Sequence, residues 1–429
     1  NFTGSSSATT ATGLNNPRGL ATDGTALYIT EVGNNRVVRY DLLPTSNGVA
    51  ADLVLGQANF TSSSTGTSAT QMKQPASATV AGTKLYVADR GNSRVLVWNS
   101  LPTTDQEAAD LVFGQADMNS GSANRGGTVG ANTLNKPYDV ASDGTKVYIA
   151  DESNFRILGW NSQLAVDGTA ADFVLGHAYF DAKDSNTAGA KQNTLDGPRG
   201  IFTYGSKVFI GDYRFNRTLI FNTIPTSNGA NADIVLGQPD FVSAAPDNGG
   251  VSASSADNSN GVYTDGTRLY ISEYDGSRVL GWNTIPTSSS TAADFVLGQP
   301  NLNATGSNNP SLGLDSLKNP YAIDGDGVRF AVADHKNNRV LLWNSMPTAT
   351  GTPADVALGQ PNGTSNSGNN PSRNASSMSI PADVSLAGGK IFVADRGNNR
   401  VLIWNSIPAN GAPGTAADVV LGQSDFSTN

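Results

Sequence analysis

An arginine recurs along this chain with a period that leaves little choice of fold. It opens the second half of a phrase best seen at residues 85–99, "LYVADRGNSRVLVWN", and falls at Arg36, Arg94, Arg156, Arg217, Arg278, Arg339 and Arg400. The successive spacings are 58, 62, 61, 61, 61 and 61 residues. Five residues before each arginine stands an acid: Glu31, Asp89, Asp151, Asp212, Glu273, Asp334 and Asp395. A glycine follows each "ADxVL"-like segment, with Gln after it except in the third copy, which has His177. A proline opens each unit, with Ser259 in its place in the fifth. Repeats of fixed period stack into one body, so the 429 residues form one domain of seven units. The units cover approximately 16–57, 74–115, 136–177, 197–238, 258–299, 319–360 and 380–423, joined by long polar loops.

Each unit reads as four short strands. In the first, "RGLATDG" and "ALYITE" flank an Asp-Gly turn of the kind that closes hairpins, "RVVRYD" is the third strand and "ADLVLGQ" the fourth. These segments are β-branched and apolar, and no helical period competes with them. Four antiparallel strands repeated radially make a propeller blade, and packing blade on blade buries both faces of each sheet. The expected fold is all-β, a single seven-bladed propeller. The chain begins and ends within the same kind of inter-blade connection, so closure is expected to bring blades one and seven together without an exchanged strand, unless the N-terminal segment adds to an edge.

The order of proline, short strand, Asp-Gly turn, "LYVAD", "GNxR" and "VxVW" resembles the NHL repeat, and the "VLGQ" strand with its following "xxF" is similar to the variant found in bacterial exported proteins. The resemblance covers all seven units. It implies a propeller that serves as a protein-binding, RNA-binding, structural or, in related propellers, enzymatic module. The RNA-binding members use a basic top face. This chain departs from them: its net charge is −9 and its pI about 4.7. Phosphate recognition depends on clustered Lys and Arg, so nucleic acid is excluded as a partner. No apolar run is long enough for a membrane span. There is no cysteine, hence no disulfide, thiol nucleophile or thiolate metal site. Any leader peptide is expected to be removed or to lie outside the sequence that starts at Asn1, and a lysine-poor surface rich in Ser, Thr, Asn and Gly fits an extracellular or cell-surface protein, which the resemblance implies to be bacterial.

The repeated acid can accept hydrogen bonds from the loop that follows it, while the arginine pairs with it or with a neighbouring blade. A ring of these acids binding calcium in the channel is the alternative. The aromatic that ends each third strand (Tyr40, Trp98, Trp160, Phe221, Trp282, Trp343, Trp404) reads as inter-blade packing, against the alternative of exposed sugar-stacking rings. A residue needed seven times is a scaffold residue, so function is expected where the repeats differ.

They differ on one face, which carries the second-to-third loops and the connections to the next blade. The short loops depart from the pattern at Glu152, Phe155, Tyr213, Arg214, Phe215, Tyr274, Asp275, His335 and Lys336, residues read as exposed contacts. The residue after the proline varies as Arg18, Ala76, Tyr138, Arg199, Asn260, Tyr321 and Ala382. Arg18, Arg199, Tyr138 and Tyr321 around a funnel suit an anionic or sugar ligand. No nucleophile elbow, phosphate loop or dinucleotide fingerprint occurs, and two histidines in different blades do not make a metal site. The "DGDG" at 324–327 reads as a hairpin turn rather than a calcium loop. Sequons at Asn1, Asn59, Asn216, Asn303, Asn362 and Asn374 leave glycosylation open.

The expectation is a non-catalytic binding or scaffold propeller with a protein or glycan partner, no catalytic residues and no cofactor beyond a possible calcium ion. The alternatives are a lyase- or hydrolase-type propeller enzyme with a carboxylate-bound divalent cation at the channel mouth, and a subunit of a surface filament or layer.

Overall fold

The structure, a computed structural model, describes residues 8–162, 166–184, 189–411 and 414–427. Its seven sheets each contain four consecutive strands in sequence order, all antiparallel, and form a seven-bladed β-propeller. In the first blade the strands are Pro17–Thr22, Leu27–Glu31, Arg36–Tyr40 and Leu53–Leu55. The Asp-Gly turn forms because Asp23 Oδ1 accepts the N–H groups of Thr25 and Ala26 at 2.8 and 2.7 Å while Gly24 takes φ +90.

The second and third strands are buried along almost their full length, which explains their continuous apolar sequence. The core lies between blades rather than at a centre. One cluster, for example, joins Tyr86 and Val97 of blade two to Ile149 and Trp160 of blade three. Phe113 meets Trp160 edge-on at 4.5 Å between ring centres. The five tryptophans are at most 2 % exposed, and each indole N–H donates to a backbone carbonyl, as Trp98 does to Glu107 at 3.1 Å. They are inter-blade packing, and none is available for sugar stacking.

The repeated acid and arginine face each other across the second-to-third hairpin, Asp89 opposite Arg94. Asp89 accepts the Lys73 N–H at 2.6 Å, the Asn92 amide at 2.8 Å and Arg94 Nε at 2.7 Å. Arg94 also donates to the carbonyls of Ser68 and Gln71 in the connection entering the blade and of Met118 in the connection leaving it. The same arrangement holds around Arg36, Arg156 and Arg217. Each arginine thus ties one hairpin to two long polar connections, a further role beyond pairing with the acid. Each acid is spent on its own arginine in the second strand, away from the channel-lining strands, so the seven do not share a central cation.

The VLGQ glutamine also ties loops together. Gln57 donates to Asn35 O and Ser64 O, and His177 substitutes with one bond to Asn154 O at 3.1 Å. Ring closure follows the expected route without strand exchange. Gly48 N–H donates to Val420 O, Leu14 N–H to Gly422 O, and Leu20 N–H to Asp383 Oδ2. Asn216 is buried, so its sequon is inaccessible in the folded protein.

Candidate functional site

The first strand of every blade breaks register with the second just after the opening residue: Pro137 pairs with Asp151 and Val140 with Ile149, leaving a bulge between them. A bulge releases residues from the ladder and re-aims their side chains. Here the two residues after the opening position, from all seven blades, line a central cavity of about 220 Å³. The variable set named from the sequence, Arg18 through Ala382, is the first of these two lining positions.

Two of its members close the mouth. Tyr138 of blade three and Tyr321 of blade six come from opposite sides of the ring and share a hydroxyl–hydroxyl hydrogen bond of 2.5 Å. The Arg18 guanidinium carbon lies 4.5 Å from the Tyr138 ring centre, and that of Arg199 lies 5.5 Å from Tyr138 and 3.8 Å from Tyr213, within cation–π range. Glu152 holds Arg199 at 3.3 Å and Arg90 at 3.0 Å. Tyr321 stacks on His335 at 5.3 Å, with Tyr274 edge-on to Tyr321 at 6.0 Å. Asn260 donates its amide to Tyr321 O at 2.6 Å. Arg18, Tyr138, Arg199, Tyr321, Glu152, Tyr213, Tyr274 and His335 are thereby joined over the channel mouth.

Burial raises the phenols of Tyr138, Tyr213 and Tyr274, which remain neutral hydrogen-bonding groups at physiological pH. Burial lowers the pKa of His335, and the nearby Lys336 and Arg396 lower it further, so its imidazole is neutral and holds Pro381 O at 2.8 Å through Nδ1. Arg18 forms no ion pair among the described residues. Chemically the mouth offers guanidinium groups, phenols and stacked rings to a polar or anionic group, the donor set suited to a sugar or a carboxylate.

The remaining predicted residues go elsewhere. Arg214 lies over the Phe155 ring at 5.3 Å and pairs with Asp196 at 3.3 Å. Asp275 is exposed and bonds Asn258 and Asn319. Lys336 is exposed beside a separate groove. Phe215 overturns its reading as an exposed contact. It is 7 % exposed, under Arg217 at 5.0 Å, because it occupies the loop position where Asn92 and Asn154 turn inward onto the acid. His335, also read as exposed, is only 6 % so.

Three carboxyls of the first strands were not singled out from the sequence, and two of them, Asp139 and Asp383, line the channel. Asp139 and Asp383 stand at the second position after the proline, where the other blades have Gly, Ser or Ala, and that departure was the available signal. Asp324 belongs to the "DGDG" read as a turn. Only Asp326 and Gly327 make that turn, while Asp324 accepts the Leu386 N–H of blade seven at 2.8 Å. Asp139 likewise accepts Ile201 N–H, and Asp383 accepts Leu20 N–H, each across a blade boundary. All three keep some accessible surface, but the protein around them desolvates their charge and moves Asp139 and Asp324 up to about 6 and Asp383 to about 7. Among the described residues no three His, Cys, Asp or Glu side chains cluster as metal ligands. No helix of the described residues is long and apolar enough to cross a membrane.

Solved structures with similar folds include hydrazine synthase of Kuenenia stuttgartiensis, at 12 % identity and a TM-score of 0.52 over 91 % of this chain and 95 % of that one. The likeness is one of fold. Virginiamycin B lyase of Staphylococcus aureus aligns at 11 % identity and 0.46 over 90 % and 93 % of the two chains, and the computationally designed Ika8 protein at 10 % and 0.49 over 98 % and 91 %. No family model matches the sequence, and no curated protein matches it.

Proposed function

We propose that this chain is a non-catalytic binding propeller of the cell exterior, built from NHL-like blades, that recognises a protein or glycan through the face bearing its hairpin loops. The observation that supports this reading most is the joining of Arg18, Arg199, Tyr138, Tyr321, Tyr213, Tyr274 and His335 over the channel mouth, although they come from five different blades. These residues depart from the repeat, and residues that serve the frame do not need to depart. The surrounding connections are tied down by the repeated arginines, so the face is preorganised and loses little freedom on binding.

The first-strand carboxyls Asp139, Asp324 and Asp383 are assigned to the frame, because each already accepts a backbone N–H from the next blade. The test is an array of glycans and secreted-protein domains probed with the wild type and with an Arg18→Ala, Tyr321→Ala double variant. The expected result is a discrete set of ligands lost in the variant, with its melting temperature nearly unchanged. Identical profiles would remove the mouth from consideration, and turnover of a captured ligand would replace binding by catalysis.

A further inference from the structure

A second site lies outboard of the channel mouth, between the loops of blades six and seven, and it centres on a residue that the fold does not want. Ile380 precedes Pro381 and is held at φ +54, a left-handed conformation that β-branched side chains strongly disfavour. The equivalent positions carry Asn16, Gln74, Lys136, Gly197, Asn258 and Asn319, all unbranched at Cβ and mostly suited to that backbone. The frame at this point is made by a backbone bond, Ile380 N–H to Asn338 Oδ1 at 2.9 Å, matching Asn16 to Asn399 and Gln74 to Asn35. It does not use the isoleucine side chain, which is 37 % exposed and so offers little core burial in return. Strain of this kind is retained where a function requires the side chain.

Ile380 lines a groove of about 490 Å³ together with Asn16, His335, Lys336 and Arg396. Lys336 is exposed, and Arg396 is aimed by a bond from its Nε to Asn16 Oδ1 at 2.6 Å. Neither forms an ion pair among the described residues. The nearest acids of the two loops, Asp334 and Asp395, are buried on Arg339 and Arg400 at 2.7 Å. Among the described residues no carboxylate lines the groove, in a chain of net charge −9. An apolar anchor between two unneutralised cations has a definite complement. Among the described residues the groove also lacks an open aromatic face for a sugar, since the one ring lining it, His335, is stacked on Tyr321.

We propose that this groove binds an acidic segment of a partner protein, seating an apolar side chain on Ile380 and carboxylates on Lys336 and Arg396. The test is fluorescence anisotropy of the full chain with labelled peptides that alternate Asp or Glu with Leu or Ile, against the same peptides with Lys in place of the acids. Acidic peptides should bind, and more weakly as salt rises from about 50 to about 200 mM. Lys336→Glu with Arg396→Glu should lower affinity by roughly tenfold or more. Ile380→Asn should weaken binding yet raise the melting temperature, because asparagine accepts the left-handed backbone. Arg18→Ala should leave peptide binding intact, which separates this site from the channel mouth. Equal binding of acidic and basic peptides, indifference to the charge reversals, displacement of the peptides by an acidic polysaccharide at lower concentration, or a lowered melting temperature for Ile380→Asn would each overturn the proposal.

Discussion

Replacing Asp89 by alanine tests the physical role of the repeated acid. The carboxylate has no exposed surface and accepts three donors, at 2.6, 2.7 and 2.8 Å. Burial pushes it above the usual carboxylate range, against the pull of Arg94 and the N–H donors. A buried pair of this kind stabilises only modestly compared with an apolar replacement. Removing one partner is different, because it strands the other charge. In Asp89→Ala the Arg94 guanidinium keeps its carbonyl partners but loses its counter-charge, and the donors of Lys73 and Asn92 are orphaned. The expected cost is about 3–5 kcal/mol. With an unfolding entropy of roughly 0.9 kcal/mol/K for 429 residues, this lowers the melting temperature by about 3–6 °C. Asp151→Ala and Asp395→Ala should match it in urea or thermal unfolding followed by far-ultraviolet circular dichroism. Glu273→Ala should cost less: its Oε1 has no partner, and Gly276 stands where an asparagine amide would reach it. A loss below about 1 kcal/mol at Asp89, or a larger loss at Glu273, would refute the reasoning.

The channel carboxyls predict a pH dependence. Asp383 titrates near 7 when folded against an ordinary value of 3.8, so the folded protein holds the proton more tightly, and stability falls as pH rises from about 4 to about 7. This one group contributes at most about 4 kcal/mol to that fall. Asp383→Asn should flatten the decline in melting temperature between pH 5 and pH 8, and an unchanged slope would reassign it. His177→Gln restores the repeat and adds a donor, so it should stabilise by about 0.5–1.5 kcal/mol in urea unfolding; destabilisation would give His177 a purpose of its own. Produced in a glycosylating host, the folded protein should carry no glycan on Asn216 by peptide mass spectrometry.

The seven-fold register was readable because each blade must make the same inter-blade contacts, so acid, arginine, glycine and an aromatic recur at nearly fixed distances. The strands followed from the Asp-Gly turns and apolar runs, and the channel-mouth residues from their departure from the repeat. What stayed hidden depends on backbone direction. Phe215 looks like a loop-tip aromatic, but the loop turns its position inward, and only the left-handed geometry at the following Asn216 reveals this. Asp139 and Asp383 look like solvent-facing acids until the first-strand bulge is seen to aim them at the channel. Ile380 looks like an ordinary apolar residue until its φ is known.

The central claim is that repeated residues build this protein and departing residues bind its ligand. Isothermal titration of the strongest ligand from the arrays, run on the wild type, Arg18→Ala and Asp89→Ala and paired with melting curves, tests it most directly. The account predicts that Arg18→Ala loses binding and keeps its stability, while Asp89→Ala loses stability and, below its melting temperature, binds as the wild type does. Intact binding in Arg18→Ala together with lost binding in a still-folded Asp89→Ala would contradict it.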